Sequence, residues 1–239
     1  MSSDIAARYS ADVEEDRIFR LAAPHYDEAQ QTIAIAIQSH FRGSNTQSLA
    51  MLEIGCGTGL TSDIILDADK RISLLALDNV ESIVEQAKYR FKNKQESRVE
   101  FVHADALECL QEQPAGSLDA VLSALVLHNC PNEYRKEVYA EIFRVLKPDG
   151  LFINVDKYAS DNESEHQAAL EWQIKRFDIF DTEGRSDLKE RWTTHYYEDE
   201  KPEVILYERE YIKDLEALGF RDIKRVYRYQ LEASYVAKK

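Results

Sequence analysis

The chain is expected to fold as an α/β domain, a largely parallel sheet with helices on both faces and a helical lid. Three observations predict it. An apolar run from Leu49 to Ile54 ends in glycines at 55, 57 and 59, and a helix-like segment with Ile64, Ile65 and Leu66 follows at once. That is the pattern of a buried strand, a tight turn and a helix, in which backbone without Cβ atoms can approach a ligand. Short apolar runs then alternate with segments of helical period as far as Val155, as parallel strands joined by crossover helices would. Between 157 and 203 helical stripes interrupt the alternation, which predicts an inserted helical pair over the open end of the sheet.

Size and composition narrow the function classes. With 239 residues, 44% of them hydrophobic and 10% aromatic, the chain can fill one α/β domain and an accessory segment. No apolar run approaches the ~18 residues of a membrane span. The opening MSSDIAARYSADVEED is polar and acidic, without a signal-peptide core, so a cytoplasmic protein without a membrane partner is expected. The formal net charge of −14, with Lys and Arg scattered among Asp and Glu, argues against a nucleic-acid partner, which would call for a basic face. Cys56, Cys109 and Cys130 share no C-x-x-C spacing, and His103, His128, His166 and His195 form no metal-binding motif. Reduced thiols and no metal are expected. Monomer and homodimer both remain open.

In chain order, residues 1–45 read as an N-terminal helical cap. Helices are expected over Asp12–Ala23 and Asp27–Phe41, the second burying Ile33, Ile37 and Phe41; Pro24 breaks the first and Asp27 caps the second. Residues 46–156 are the core. After the first strand and the helix near Thr61–Ala68 come a strand at Ile72–Leu77 ending in Asp78, and a helix lined by Val80, Ile83, Val84, Ala87 and Phe91. Strands follow at Val99–His103 and Ala120–Ala124. A helix opened by Pro131 leads through the turn Lys147-Pro148-Asp149-Gly150 to a strand at Leu151–Val155. The lid, 157–203, carries one stripe with Leu170, Ile174 and Phe177 and another with Leu188, Trp192 and His195, separated by Asp181-Thr182-Glu183-Gly184. Residues 204–239 give a helix near Tyr211–Leu218 capped by Gly219, then an antiparallel pair at Ile223–Tyr229 and Ala233–Ala237.

The chemistry is expected at the carboxyl ends of the strands, where open α/β sheets bind ligands. The spacing G-x-G-x-G with Leu60 at the next position excludes the dinucleotide fingerprint G-x-G-x-x-G, and no Lys-Ser/Thr pair makes a P-loop. Asp78 ends the second strand, and a carboxylate there can accept both vicinal hydroxyls of a ribose. Asp105 follows the third strand and could accept from an adenine amino group, with the backbone of Ala106 or Leu107 completing the edge. Plainer roles are a helix cap for Asp78 and a turn former for Asp105.

From Leu49 to Val155 the sequence resembles class I S-adenosylmethionine-dependent methyltransferases. The resemblance rests on Glu53-x-Gly55-x-Gly57-x-Gly59, Asp78, Ala104-Asp105-Ala106, Asp119-Ala120-Val121 and Arg144-Val145-Leu146-Lys147-Pro148-Asp149-Gly150-Leu151, all in family order. It implies a Rossmann-like, seven-stranded sheet with a reversed last strand, and S-adenosyl-L-methionine (SAM) as cofactor. The cofactor contacts it implies are drawn from Glu53, Gly55, Cys56, Gly57, Gly59, Asp78, Asn79, Asp105, Ala106, Leu107 and Leu125. Leu125 and His128 would border the methyl group. Pro24-x-Tyr26 and Lys189-Glu190-Arg191 are faintly similar to carboxy-S-adenosylmethionine synthases, which modify the sulfonium instead. That reaction, and SAM binding without catalysis, are the alternatives to methyl transfer.

His128, His195 and Tyr26 are the catalytic candidates, should an acceptor have to lose a proton. For both histidines, packing against cofactor or lid is the plainer role. Tyr26, Trp172, Arg191, Trp192, His195 and Tyr196 are the candidate walls of the acceptor site, since aromatic faces suit a sulfonium or a cationic acceptor. A lid of this span favours a small-molecule substrate.

Overall fold

The computed structural model describes residues 13–94 and 96–239. The first twelve residues of the expected cap, including Asp12 at the start of its first helix, lie outside the described residues.

Helices α1 (Val13–Ala22) and α2 (Tyr26–Phe41) precede β1 (Leu49–Ile54), α3 (Leu60–Ala68), β2 (Ile72–Asp78), α4 (Glu81–Lys94), β3 (Val99–His103), α5 (Ala106–Glu112) and β4 (Leu118–Ala124). A short 3-10 turn, Leu127–Asn129, leads into α6 (Asn132–Val145) and β5 (Leu146–Lys157). Then come α7 (Glu163–Arg176), α8 (Asp178–Thr182), α9 (Ser186–Glu198), α10 (Glu208–Leu218), β6 (Arg221–Tyr229) and β7 (Glu232–Lys238). The seven strands form one sheet in the order β3-β2-β1-β4-β5-β7-β6. β1 to β5 pair in parallel, while β7 runs antiparallel to both of its neighbours. The strand order reverses between β1 and β4, which opens a crevice at their carboxyl ends.

The period-2 alternation of the strands divides the core into two layers. Leu52 and Ile54 face one layer with Leu110, Val138, Ile142 and Leu215, from α5, α6 and α10. Leu49 and Met51 face the other with Ile33, Ile37, Ile65, Val84 and Phe91, from α2, α3 and α4. A third cluster holds the lid. Leu170, Phe177, Phe180, Leu188 and Tyr196 pack there with Ile18 and Ala22 of α1 and with Leu231 at the β6–β7 turn.

Four local features differ from the sequence reading. The lid has three helices, because α8 continues almost directly from α7 through Phe177 and takes in Asp181 and Thr182. Asp27 lies in the first turn of α2; His25 occupies the capping position and makes no side-chain cap. The segment Lys147–Gly150 is a bulge inside β5 rather than a turn before it: the register against β4 jumps from Leu118↔Leu146 to Ala120↔Leu151, and Asp149 takes φ +62°. The fourth bears on function. β5 runs two residues past Val155, because its pairing with β7 continues through Asp156↔Ala233 and Lys157↔Glu232.

Candidate active site

A cavity opens at the switch point, between the glycine turn, the ends of β2, β4 and β5, and the lid. On the β1 side its wall is largely backbone. Gly55 has φ +71°, and a Cβ there would lie 2.2 Å from the Val126 side chain, so the turn and the chain after β4 meet too closely for any other residue. Gly57, at φ +52°, has nothing within 4 Å of the equivalent point. The missing side chain leaves room where the cavity meets the turn.

Asp78 ties that turn to β2. Its Oδ2 accepts from the Gly57 N–H at 3.0 Å and its Oδ1 from the Val80 N–H at 3.0 Å. Burial pushes its carboxyl above the usual range, opposed by those N–H donors. The Asn79 N–H also acts on this carboxyl. A carboxylate offers about four lone-pair sites, so these three donors leave it able to accept from a ribose hydroxyl, and with the backbone wall of the turn the residues present fit the nucleoside of SAM. Leu125, just past β4, also lines the cavity and holds φ +58°, a region uncommon for non-glycine residues and a frequent mark of functional sites.

Of the expected cofactor residues, Gly55, Cys56, Gly57, Asp78, Asn79, Ala106 and Leu125 line the cavity. Glu53, Gly59, Asp105 and Leu107 are not on its wall. Glu53 is buried beneath the turn, accepting from the Ser62 hydroxyl at 2.5 Å, and burial pushes its carboxyl up to about 8. Gly59 caps α3. Asp105 caps α5, accepting from the Leu107 and Glu108 N–H groups, and its Oδ1 also accepts from the Tyr134 hydroxyl at 2.8 Å. The Leu107 N–H is thereby already engaged.

On the other side, β5 and the lid build a polar wall. His128 Nδ1 lies 2.5 Å from Asp156 Oδ1, and its backbone N–H donates to Asp156 Oδ2 at 3.2 Å. Asp156 is fully buried. An ionised carboxylate only accepts, so Nδ1 carries the shared proton and Nε2 is the nitrogen left to exchange one. Asp199 of the lid lies 3.8 Å from His128 Nε2 and 3.6 Å from His195 Nε2, and Lys157 Nζ donates to it at 2.8 Å. Burial alone would raise Asp199, but Lys157, His128 and His195 hold its carboxyl below the usual range. One ligand atom each from His128, His195 and Asp199 falls within 4.8 Å of the others, a spacing that a cation could use. The Lys157 ammonium supplies positive charge at that point.

Of the expected catalytic and acceptor residues, His128, Tyr26, Trp192, His195 and Tyr196 share the cavity wall. Lys157 Nζ sits 4.3 Å from the Tyr196 ring centre, and Trp192 packs on Phe19 with centroids 4.3 Å apart. Trp172 and Arg191 are not on the wall; Trp172 packs edge-on against Tyr229. Sequence reasoning missed Asp156, Lys157, Asp199 and Glu232. The first two end β5 as Asp78 ends β2, and Asp199 falls one helical turn after His195; those signals were available. Glu232 had none, because it reaches the cavity only through the β5–β7 pairing.

The sheet order with its reversed β7, the glycine turn and the acidic end of β2 define the class I SAM-dependent methyltransferase fold. The methyltransferase-domain family model matches residues 51–150. The chain is 34% identical over 112 residues to a malonyl-[acyl-carrier protein] O-methyltransferase of a Paenibacillus species, covering 44% of this chain and 40% of that one. It is 29% identical to a demethylmenaquinone methyltransferase of Lactococcus lactis, covering 60% of each. The chain thus spans about half the length of these relatives. A SAM-dependent methyltransferase structure from Aquifex aeolicus superposes over 96% of this chain and 97% of its own, with a TM-score of 0.58 at 14% identity.

Proposed function

We propose that the chain transfers a methyl group from SAM to a small-molecule acceptor enclosed by the lid. The observation that carries this reading is a single cavity joining the Gly57–Asp78 cradle to the His128–Asp156 pair. When bound, SAM supplies an electrophilic methyl on a sulfonium. Gly57, Asp78, Asn79 and Ala106 would hold its nucleoside. The rings of Tyr26, Trp192 and Tyr196 would exclude water and orient the acceptor, and positioning of that kind can supply ~7–11 kcal/mol. His128, steadied through Nδ1 by Asp156, presents Nε2 to take a proton from an acceptor that must lose one, an arrangement in which a carboxylate fixes both tautomer and ring. We place the enzyme in the cytoplasm, as a monomer or homodimer. Among the described residues no helix is long and apolar enough to cross a membrane.

Mass spectrometry of the ligand that co-purifies, followed by an acceptor screen with methyl-labelled SAM, tests the proposal. Label in a small-molecule product supports it. A carboxylated sulfonium in the purified protein would replace it with modification of the cofactor, and binding without turnover on any acceptor would leave a SAM-binding protein.

A further inference from the structure

Glu232 opens β7 and lines the acceptor side of the cavity. Its position is set by register, since it lies directly opposite Lys157 in the antiparallel ladder. Residues so paired project from the same face of the sheet, and opposite charges there ordinarily bond to each other. Here the ammonium of Lys157 is drawn to the buried Asp199 at 2.8 Å instead, with Glu200 Oε1 3.8 Å away. Among the described residues no hydrogen bond or ion pair reaches the Glu232 carboxyl. Its side chain is half-buried, and burial pushes it up to about 7, opposed by the nearby His128.

The rest of the acceptor wall is one-sided. Lys157 is the only lysine or arginine among the described residues lining the cavity, and Asp199 neutralises it. A carboxylate or phosphate on the acceptor would therefore meet an unpaired acid and no free cation. A hydroxyl or amine would find an acceptor oxygen in a cavity whose wall also carries the rings of Tyr26, Trp192 and Tyr196.

We infer that Glu232 is the anchor for the acceptor, receiving an N–H or O–H donor, and that the site selects hydrogen-bond-donating, non-anionic molecules over carboxylates and phosphates. This rests on the methyl-transfer reading of the cavity. The test is calorimetric, with protein saturated by S-adenosylhomocysteine titrated with phenethylamine or with 3-phenylpropionate, aromatics of like size and opposite terminal charge. The amine should bind at least tenfold more tightly. Glu232→Gln should weaken it about tenfold, as loss of a charged hydrogen bond does, without changing affinity for S-adenosylhomocysteine. Equal or reversed affinities in the wild type, absence of binding by both included, would overturn the inference, as would an unchanged amine affinity in Glu232→Gln. If Glu232→Gln does not fold, the wild-type pair decides alone. Failure of the wild type to bind S-adenosylhomocysteine is a separate result and would sink the underlying reading instead.

Discussion

The two halves of the cavity are built on opposite plans. The half proposed for the cofactor is made of backbone and residues close in sequence: Gly55, Gly57 and Asp78 lie within 24 positions, and one carboxylate joins the glycine turn, through the Gly57 N–H, to the loop after β2, through the Val80 N–H. The half proposed for the acceptor is made of side chains brought from far apart. His128, Asp156, Lys157, Asp199 and Glu232 come from the turn after β4, the end of β5, the lid and the start of β7. Each half also buries an acid in a different way. Glu53 has a serine hydroxyl for company and is pushed up to about 8, whereas Asp199 has Lys157 and two histidines and is held down. A plan written in backbone tolerates a change of acceptor. A plan written in long-range side-chain contacts is where specificity can vary.

The sharpest way to separate the halves is at His128. His128→Asn should lower kcat by ~10²–10⁴-fold with an acceptor that must be deprotonated, while the Kd for SAM moves less than twofold. Asp156→Asn should act in the same direction, through the ring's tautomer. Single-turnover kinetics beside calorimetry distinguishes these effects, and a matched loss of cofactor affinity would erase the division.

Stability gives the next contrast. Asp199→Asn leaves the Lys157 ammonium buried without its partner, at a cost of about 3 kcal/mol. Urea unfolding should report that loss while SAM binding survives in the folded fraction. An unchanged midpoint would mean that Lys157 finds Glu200 without penalty.

Asp78→Asn should reverse the pattern, weakening SAM binding about a hundredfold (~2.7 kcal/mol) as charge-assisted bonds to the ribose are lost. The rate with bound substrates should fall far less. Cofactor affinity within a few fold of wild type would remove Asp78 from the ribose.

How much of this was legible follows the same division. The strands from Leu49 to Val155, the glycine turn and Asp78 announce themselves because apolar period, turn chemistry and strand-end position are local properties. The reversed β7 came with the family resemblance. The acceptor wall was half visible. His128, His195 and Tyr196 stood out as residue types, but their partners Asp156 and Lys157 depend on β5 running past Val155, which the pairing with β7 decides. Asp105 shows the converse, an acid at the expected strand end that caps α5, accepts from Tyr134 and lies off the cavity wall. Trp172 was read from its type alone, and its ring packs on Tyr229 away from the cavity.

The smallest effect is a slope with pH. Glu53 starts from 4.5 and is pushed up to about 8 in the fold, so between those values the native state holds a proton that the unfolded chain has released. Its contribution is complete below pH 4.5 and fades as pH rises toward 8, by at most about 1.4 kcal/mol per unit. Asp199 has the opposite sign. Its carboxyl is held low, so its contribution is present above the unfolded value near 3.8 and disappears as pH falls through the lower folded value. Urea midpoints from pH 3 to 9 should therefore show Glu53→Gln flattening the decline between pH 5 and 8, and Asp199→Asn lowering the midpoints throughout the neutral range while changing the slope with pH only on the acid limb. If Glu53→Gln leaves the upper decline as steep as before, the acid beneath the glycine turn is ionised in the folded protein, and the contrast between the two buried carboxyls is lost.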